Sequence, residues 1–228
     1  MCGRYTQHHS VDDIVNLFSI TEVDVEPAQR FNIAPTQQVA VVTTDTEGTR
    51  ALDSFRWGLI PFWAKDPGIG SKMINARTET VAEKPAFKRL LSRRRCVIPA
   101  DGFYEWQTIA DGKGKQPVHF HLREGALFGF AGLWDEWQQP DGEPLRTCTI
   151  LTTAANALVA PVHDRMPVIL PRGEVTDHWL DTTVTEADDL LPLLRPYSAE
   201  AMVAVPVSRR VNVVANDDPR LIEPEGHR

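Results

Sequence analysis

Arg95-Cys96-Val97-Ile98-Pro99-Ala100-Asp101-Gly102-Phe103-Tyr104-Glu105-Trp106-Gln107-Thr108 is the stretch on which the fold turns. It holds a short apolar run, a turn at Asp101-Gly102, and a second run that reads as another strand. Strand alternation sends Phe103, Glu105 and Gln107 to one face, and Tyr104 and Trp106 to the other. Glu105 is thereby a carboxylate flanked by aromatics. Such surroundings raise a carboxyl pKa and suit the group to acid or base work. The competing reading is an edge-strand charge in water.

Outward from this stretch the pattern stays strand-rich. Gln38–Thr43, Ala51–Gly58, Arg146–Thr153 and Met202–Val207 read as strands, and Pro117–Leu122 with Leu127–Trp134 as a pair. Asp111–Lys115 reads as a hairpin-type loop and Asp141-Gly142 as a turn. Helices are expected over Ser10–Ser19, with Ser10 and Asp13 in a capping pattern, and over Val81–Arg94, with Pro85 as a blemish. Glu174–Leu180 and Glu186–Leu194 are expected as peripheral helices. The reading is a single α+β domain over residues 1–228, with a curved, mostly antiparallel and barrel-like sheet core and a tail held loosely from about 217.

The 228 residues are 42% hydrophobic and 24% charged, an ordinary globular composition with no membrane-length apolar run. Three cysteines, Cys2, Cys96 and Cys148, have neither disulfide nor metal spacing and fit a reducing, cytoplasmic setting. A net charge of −7 argues against non-specific coating of nucleic acid. The charge is uneven, however: Arg77, Lys84, Lys88, Arg89, Arg93, Arg94 and Arg95 crowd one stretch. A solvated helix face is the plain reading of that cluster.

Chemistry-bearing residues lie at several points. Cys2 directly follows Met1, and removal of Met1 would leave an amine and a thiol on one residue. An α-amine ordinarily titrates at about 7.7–8.0 and a thiol at about 8.5, which leaves both usable near neutral pH. Such a 1,2-aminothiol captures an aldehyde as an imine and closes it to a thiazolidine. Trp57–Ala64 is a loop with two Trp and one Phe, which either folds under as packing or offers a stacking surface. His163 sits beside Asp164 and Arg165 in a loop, an acid–base candidate. His119 and His121 share a strand face, but no partner set stands nearby, so they are read as structural and no metal is expected.

Taken in order, Met1-Cys2-Gly3-Arg4-Tyr5-Thr6, Phe31-Asn32-Ile33-Ala34-Pro35, Trp57-Gly58-Leu59-Ile60-Pro61, Asn75-Ala76-Arg77-Thr78-Glu79-Thr80, Gly102–Trp106 and His163-Asp164-Arg165-Met166-Pro167 resemble the SRAP (SOS response-associated peptidase) family from Cys2 to about Val207. The resemblance implies a protein that crosslinks to abasic sites in single-stranded DNA, with peptidase activity at the least on its own Met1, and with lyase activity. It implies Cys2 as nucleophile and attachment point, Asn75 holding the reacting chain end and sugar, and Glu105 and His163 handling protons. Arg4 and Arg77 would meet phosphates, Phe62 and Trp63 would form a stacking wedge, and Asn32 and Pro35 would join the DNA site. No cofactor is implied. The expected protein is a cytoplasmic monomer that joins the nucleoid when DNA is damaged. Two rivals stand beside this: an N-terminal-nucleophile amidohydrolase using Cys2 on an amide, and a non-covalent single-stranded DNA binding module. Cys2→Ala separates the crosslinker from the binding module, and glutamine hydrolysis exposes the amidohydrolase.

Overall fold

Asp101 is where the chain changes sheets. The computed structural model describes residues 2–109, 114–140 and 142–226, so the loop expected at Asp111–Lys115 and the turn at Asp141-Gly142 lie partly outside the described residues. The strands are β1 (Tyr5–Gln7), β2 (Glu22–Val23), β3 (Arg30–Ile33), β4 (Gln38–Thr44), β5 (Arg50–Trp57), β6 (Asn75–Arg77), β7 (Arg95–Ala100), β8 (Gly102–Thr108), β9 (Lys115–Leu122), β10 (Phe128–Trp137), β11 (Leu145–Ala154), β12 (Arg165–Pro167), β13 (Ile169–Leu170) and β14 (Met202–Pro206). One sheet has the order β14-β9-β8-β1-β3, with antiparallel neighbours. The other runs β12-β11-β10-β7-β4-β5-β2. In it, β5 also pairs with β11 in parallel, at Arg56 with Thr147 and Trp57 with Cys148. That pairing closes β11-β10-β7-β4-β5 into a five-stranded barrel. The fold is α+β, as expected.

The corner between β7 and β8 is pinned from both sides. Buried Asp101 accepts the backbone N–H groups of His8 at 2.6 Å and His9 at 3.2 Å, and the Asp101 N–H donates to the Thr6 carbonyl at 3.0 Å. At Gly102 a Cβ would lie 2.1 Å from His119 Nε2 and 2.9 Å from the Phe120 carbonyl oxygen, so no other residue fits there without a shift. Alternation then does the rest. Phe103 joins the core of Cys2, Tyr5, Phe120 and Phe130, while Tyr104 packs with Val207, Val211 and Leu221. In β4, Val39 and Val41 go to that first core, while Ala40 and Val42 go to the core under the helices.

The helices are α1 (Val11–Phe18), α2 (Pro85–Arg93), α3 (Glu174–Leu180) and α4 (Ala187–Leu190). The Ser10–Asp13 capping box of α1 is present. Three expectations need correction. The α2 helix starts at Pro85, not at Val81, because a proline suits the first helical turn, where its missing N–H has no helical partner to lose. Strands β9 and β10 do not pair. The chain crosses between the sheets at Arg123–Gly125, where Glu124 and Gly125 take φ of 66° and 63°. The tail beyond Asp217 is tied down rather than loose: Asp217 pairs with Arg30 and accepts the Phe31 N–H, Leu221 is fully buried, and Val207 bridges to Pro224.

Candidate functional site

Cys2 enters the structure buried, next to the Tyr5 wall of the core between the sheets. Its carbonyl accepts from Asn75 Nδ2 at 2.8 Å, and its Sγ lies 3.9 Å from the Arg4 carbonyl. Asn75 is carried on β6, which runs parallel to β11 with Asn75 opposite Ile150. The residue before it is fixed by Trp57, whose indole N–H donates to the Ile74 carbonyl at 2.9 Å. Asn75 Oδ1 is buried and has no hydrogen-bond partner among the described residues. Buried acceptors are seldom left so, and a bound donor would satisfy this one.

Glu105 reaches the same place from β8 and is 4% exposed. Burial raises its carboxyl above the ordinary carboxylate range, against the positive charge of nearby His163. Burial likewise pushes the Cys2 thiol well up, and the Glu105 charge pushes it further. A thiolate is therefore disfavoured in this buried setting. His163 precedes β12 and is part-exposed. Its Nδ1 faces the Arg165 N–H at 2.9 Å and Asp164 Oδ1 at 3.0 Å. A neutral ring protonated on Nε2 accepts the first contact, and an imidazolium donates to the second. The ring thus has a partner in either protonation state.

Four of the expected residues, Cys2, Asn75, Glu105 and His163, are brought together. Arg77 stands exposed two residues beyond Asn75 on β6, on the same strand face. Phe62 and Trp63 are 57% and 51% exposed. Their loop is nonetheless firmly held: the Phe62 N–H donates to buried Asp135 at 3.0 Å, and Arg89 binds the same carboxylate at 3.0 Å while its guanidinium stacks 4.6 Å over the Phe62 ring. At the root of the loop, a Cβ on Gly58 would meet the Gly70 carbonyl oxygen at 2.7 Å. Pro35 lies part-buried in the link between β3 and β4. Asn32 departs most from expectation. It is fully buried, its Oδ1 accepts from Arg4 at 2.7 Å, and its Nδ2 faces the carbonyls of Val211, Val213 and Asn216. It has no surface for DNA. Arg4 is half-buried by the same arrangement and stacks 5.8 Å over Trp106.

The pair Arg165–Glu79 went unread in the sequence, although both residues lie in segments quoted above. Arg165 is 9% exposed, binds Glu79 through both terminal nitrogens and also donates to the Thr152 carbonyl. It locks β12 beside β11 and so fixes the backbone N–H that His163 meets. For a metal, the group that comes closest among the described residues is His8, His9 and Asp101. His9 Nδ1 already donates to Asp101 at 2.9 Å, and this bond raises the His9 pKa. With both backbone N–H groups on the same carboxylate, the cluster is satisfied without an ion. His119 and His121 stack at 5.4 Å, and burial lowers His119 to about 3, so it stays neutral as a packing group.

A family model described as SOS response associated peptidase (SRAP) matches residues 1–214. The chain is 48% identical over 225 residues to abasic site processing protein YoqW of Bacillus subtilis (strain 168), covering 98% of this chain and 99% of that one. It is 39% identical over 198 residues to abasic site processing protein HMCES of Gallus gallus, covering 77% of this chain and 58% of the relative. A crystal structure of a protein from Bacteroides thetaiotaomicron superposes with a TM-score of 0.87 at 26% identity, covering 98% of this chain and 99% of the other.

Proposed function

This chain belongs to the SOS response-associated peptidase family, and from that premise we propose that it captures abasic sites in single-stranded DNA as a covalent adduct on Cys2 once Met1 has been removed. The observation that carries the reading is the convergence on Cys2: its carbonyl is held by Asn75 at 2.8 Å, and the buried Glu105 lies near enough for its charge to act on the thiol.

An abasic sugar opens to an aldehyde at C1′. The Cys2 amine attacks that carbon, and the carbonyl oxygen takes a proton from the Glu105 carboxyl, whose raised pKa suits it to that transfer. The nitrogen gives up its two protons, one restoring the Glu105 carboxyl and one protonating the new hydroxyl, which leaves as water and gives the imine. The thiol sulfur then bonds to the same carbon while its proton passes to the nitrogen, closing the thiazolidine. Aldehyde plus aminothiol thus gives ring plus one water. The raised thiol pKa favours this order, amine first and sulfur second. His163, more exposed than Glu105, exchanges protons between the pocket and solvent. Asn75 Oδ1 accepts a sugar hydroxyl, which relieves its missing bond. The same acid and base serve hydrolysis of the Met1–Cys2 bond and lyase chemistry at the sugar.

Phosphate contact by Arg77 and stacking by Phe62 and Trp63 hold the strand without reading its sequence. The reading includes a monomer in the cytoplasm that joins the nucleoid at damaged DNA. Among the described residues, no helix is long and apolar enough to cross a membrane.

The test is a denaturing gel of Met-processed protein with a single-stranded oligonucleotide carrying one abasic site, beside an intact strand and Cys2→Ala. A heat- and detergent-stable shifted band is expected only with the abasic strand and only with Cys2. No band, with a free N-terminal Cys confirmed by mass spectrometry, sinks the covalent reading. Strong binding without a band leaves the non-covalent module, and release of ammonia from glutamine identifies the amidohydrolase.

A further inference from the structure

The two faces of β8 lead to different places. Glu105 points to Cys2, whereas Tyr104 and Trp106 point to the C-terminal segment around the 3-10 turn Arg209–Asn212. Tyr104 Oη donates to the Phe31 carbonyl at 2.8 Å, and Trp106 Nε1 donates to Asn212 Oδ1 at 2.7 Å. At the centre stands Asn32. Its Nδ2 lies 3.2, 3.1 and 2.7 Å from the carbonyls of Val211, Val213 and Asn216, and its Oδ1 accepts from Arg4 Nη1 at 2.7 Å. The same Arg4 nitrogen donates to the Val211 carbonyl at 2.7 Å. One buried amide therefore ties three carbonyls of the C-terminal segment to an arginine two residues from Cys2.

We infer that Asn32 is a positioning residue: it clamps the C-terminal segment onto Arg4 and thereby holds the Arg4 guanidinium in the one orientation in which its Nη2 meets the DNA backbone beside the captured sugar. The inference rests on the reading that Arg4 meets phosphate. Two physical points carry it. Arg4 commits Nη1 to Asn32 and Val211 and buries Nε, so the fixed fork presents Nη2 in a set direction. A free arginine side chain instead loses rotamer entropy on binding. Asn32 itself is fully buried, with both ends of its amide engaged, so any effect it has on DNA must pass through its partners. The segment is also anchored independently of Asn32, by Asp217 on Arg30 and the Phe31 N–H. That gives a second way to loosen it.

The experiment is a double-mutant cycle with Arg4→Ala, Asn32→Ala and Arg4→Ala/Asn32→Ala. The readouts are the Kd for an intact single strand at several salt concentrations, the saturating crosslinking rate on an abasic strand, and the Tm. Arg4→Ala is expected to weaken binding about tenfold, the worth of one charge-assisted hydrogen bond. It should also lower the salt slope by about 0.7, the value for one phosphate on a single strand. Asn32→Ala should lose affinity in the same range and lower the slope likewise, with the saturating rate kept. Added to Arg4→Ala, it should cost nothing more in binding. A merely structural Asn32 would lower the Tm and leave the salt slope alone. If Asn32→Ala does not fold, Asp217→Ala loosens the same segment without touching Arg4, and its affinity loss should vanish in the Arg4→Ala background. Losses that multiply across the cycle, or an unchanged slope in Asn32→Ala or Asp217→Ala, overturn the inference. So does an Arg4→Ala protein that binds as well as wild type, and that outcome also shows the Arg4 reading to be the part at fault. A wild type that binds but never crosslinks faults the covalent reading instead and leaves the cycle intact.

Discussion

The pocket at Cys2 and the loop at Phe62–Trp63 are built of opposite materials. The pocket hides polar groups: Glu105 is 4% exposed, and burial raises both its carboxyl and the Cys2 thiol. The loop exposes apolar ones, two aromatic rings more than half open to solvent. Each arrangement runs against the usual sorting of polar outside and apolar inside. Each is also held in place by dedicated contacts: Asn75 grips the Cys2 carbonyl, and a buried Asp135 grips both the Phe62 N–H and Arg89. A carboxyl gains catalytic reach by leaving water, whereas a stacking ring gains it by staying at the surface. On the proposed function this difference separates reaction from grip, and the two should fail separately.

The largest expected effect is on the reaction side. Glu105→Gln keeps the shape and removes the titration, and it should slow crosslinking at saturating DNA by about 10²–10⁴-fold, the usual worth of a general acid. Its stability should move the other way. The folded carboxyl has a raised pKa, so between the unfolded and folded values the folded state binds more protons. Stability from this group is therefore full below the unfolded pKa and falls as the pH rises through the folded one. Above that window Glu105→Gln should have a higher Tm than wild type, and the gap should close toward pH ~4, near the ordinary carboxyl value. Thermal melts across pH, beside single-turnover gels, check both halves. A variant that crosslinks normally, or that is less stable at neutral pH, would erase the distinction drawn for the pocket.

The next effect belongs to grip. Phe62→Ala and Trp63→Ala should each weaken single-strand binding by about 1–3 kcal/mol, the range for one stacked base. The crosslinking rate at saturation and the Tm should stay near wild type, because neither ring fills a core. Fluorescence anisotropy and single-turnover gels read the two quantities apart. A drop in the saturating rate would mean that the loop shapes the pocket after all, and the comparison would break.

What could be read in the sequence follows the same division between local and distant causes. The alternation of Phe103–Trp106 gave the right faces, because a strand's period is a local property. The α1 capping box was legible for the same reason. Strand partners were not. Pro117–Leu122 and Leu127–Trp134 look like a hairpin, but Glu124 and Gly125 in the left-handed region turn the chain into the other sheet. The barrel closure at Trp57 and Cys148 joins residues far apart in the chain, and no local pattern announces it. That Cys2, Asn75, Glu105 and His163 come together was expected from motif order, not from spacing. Asn32, expected at the DNA site, is fully buried, because a motif gives the residue and not its burial. Arg165 and Glu79 were passed over because each looks like an ordinary surface charge until the fold pairs them.

The smallest effect tests whether grip has a purely electrostatic part. Arg77 is exposed on β6, and strand geometry puts it about 7 Å from Asn75 on the same face. On the proposed function that puts it within reach of a phosphate next to the sugar held at Cys2. Arg77→Ala should therefore weaken binding to every single strand alike and reduce the slope of log Kd against log salt by about 0.7, one phosphate's share. The loss should fade as salt rises, because the released counterions that drive it matter less. Phe62→Ala should behave differently: stacking releases no counterions, so its loss should hold across the same salt series. Titrations of both variants over that series set the two contributions side by side. An Arg77→Ala loss that does not change with salt would place this arginine in the packing of the site rather than on the phosphate backbone.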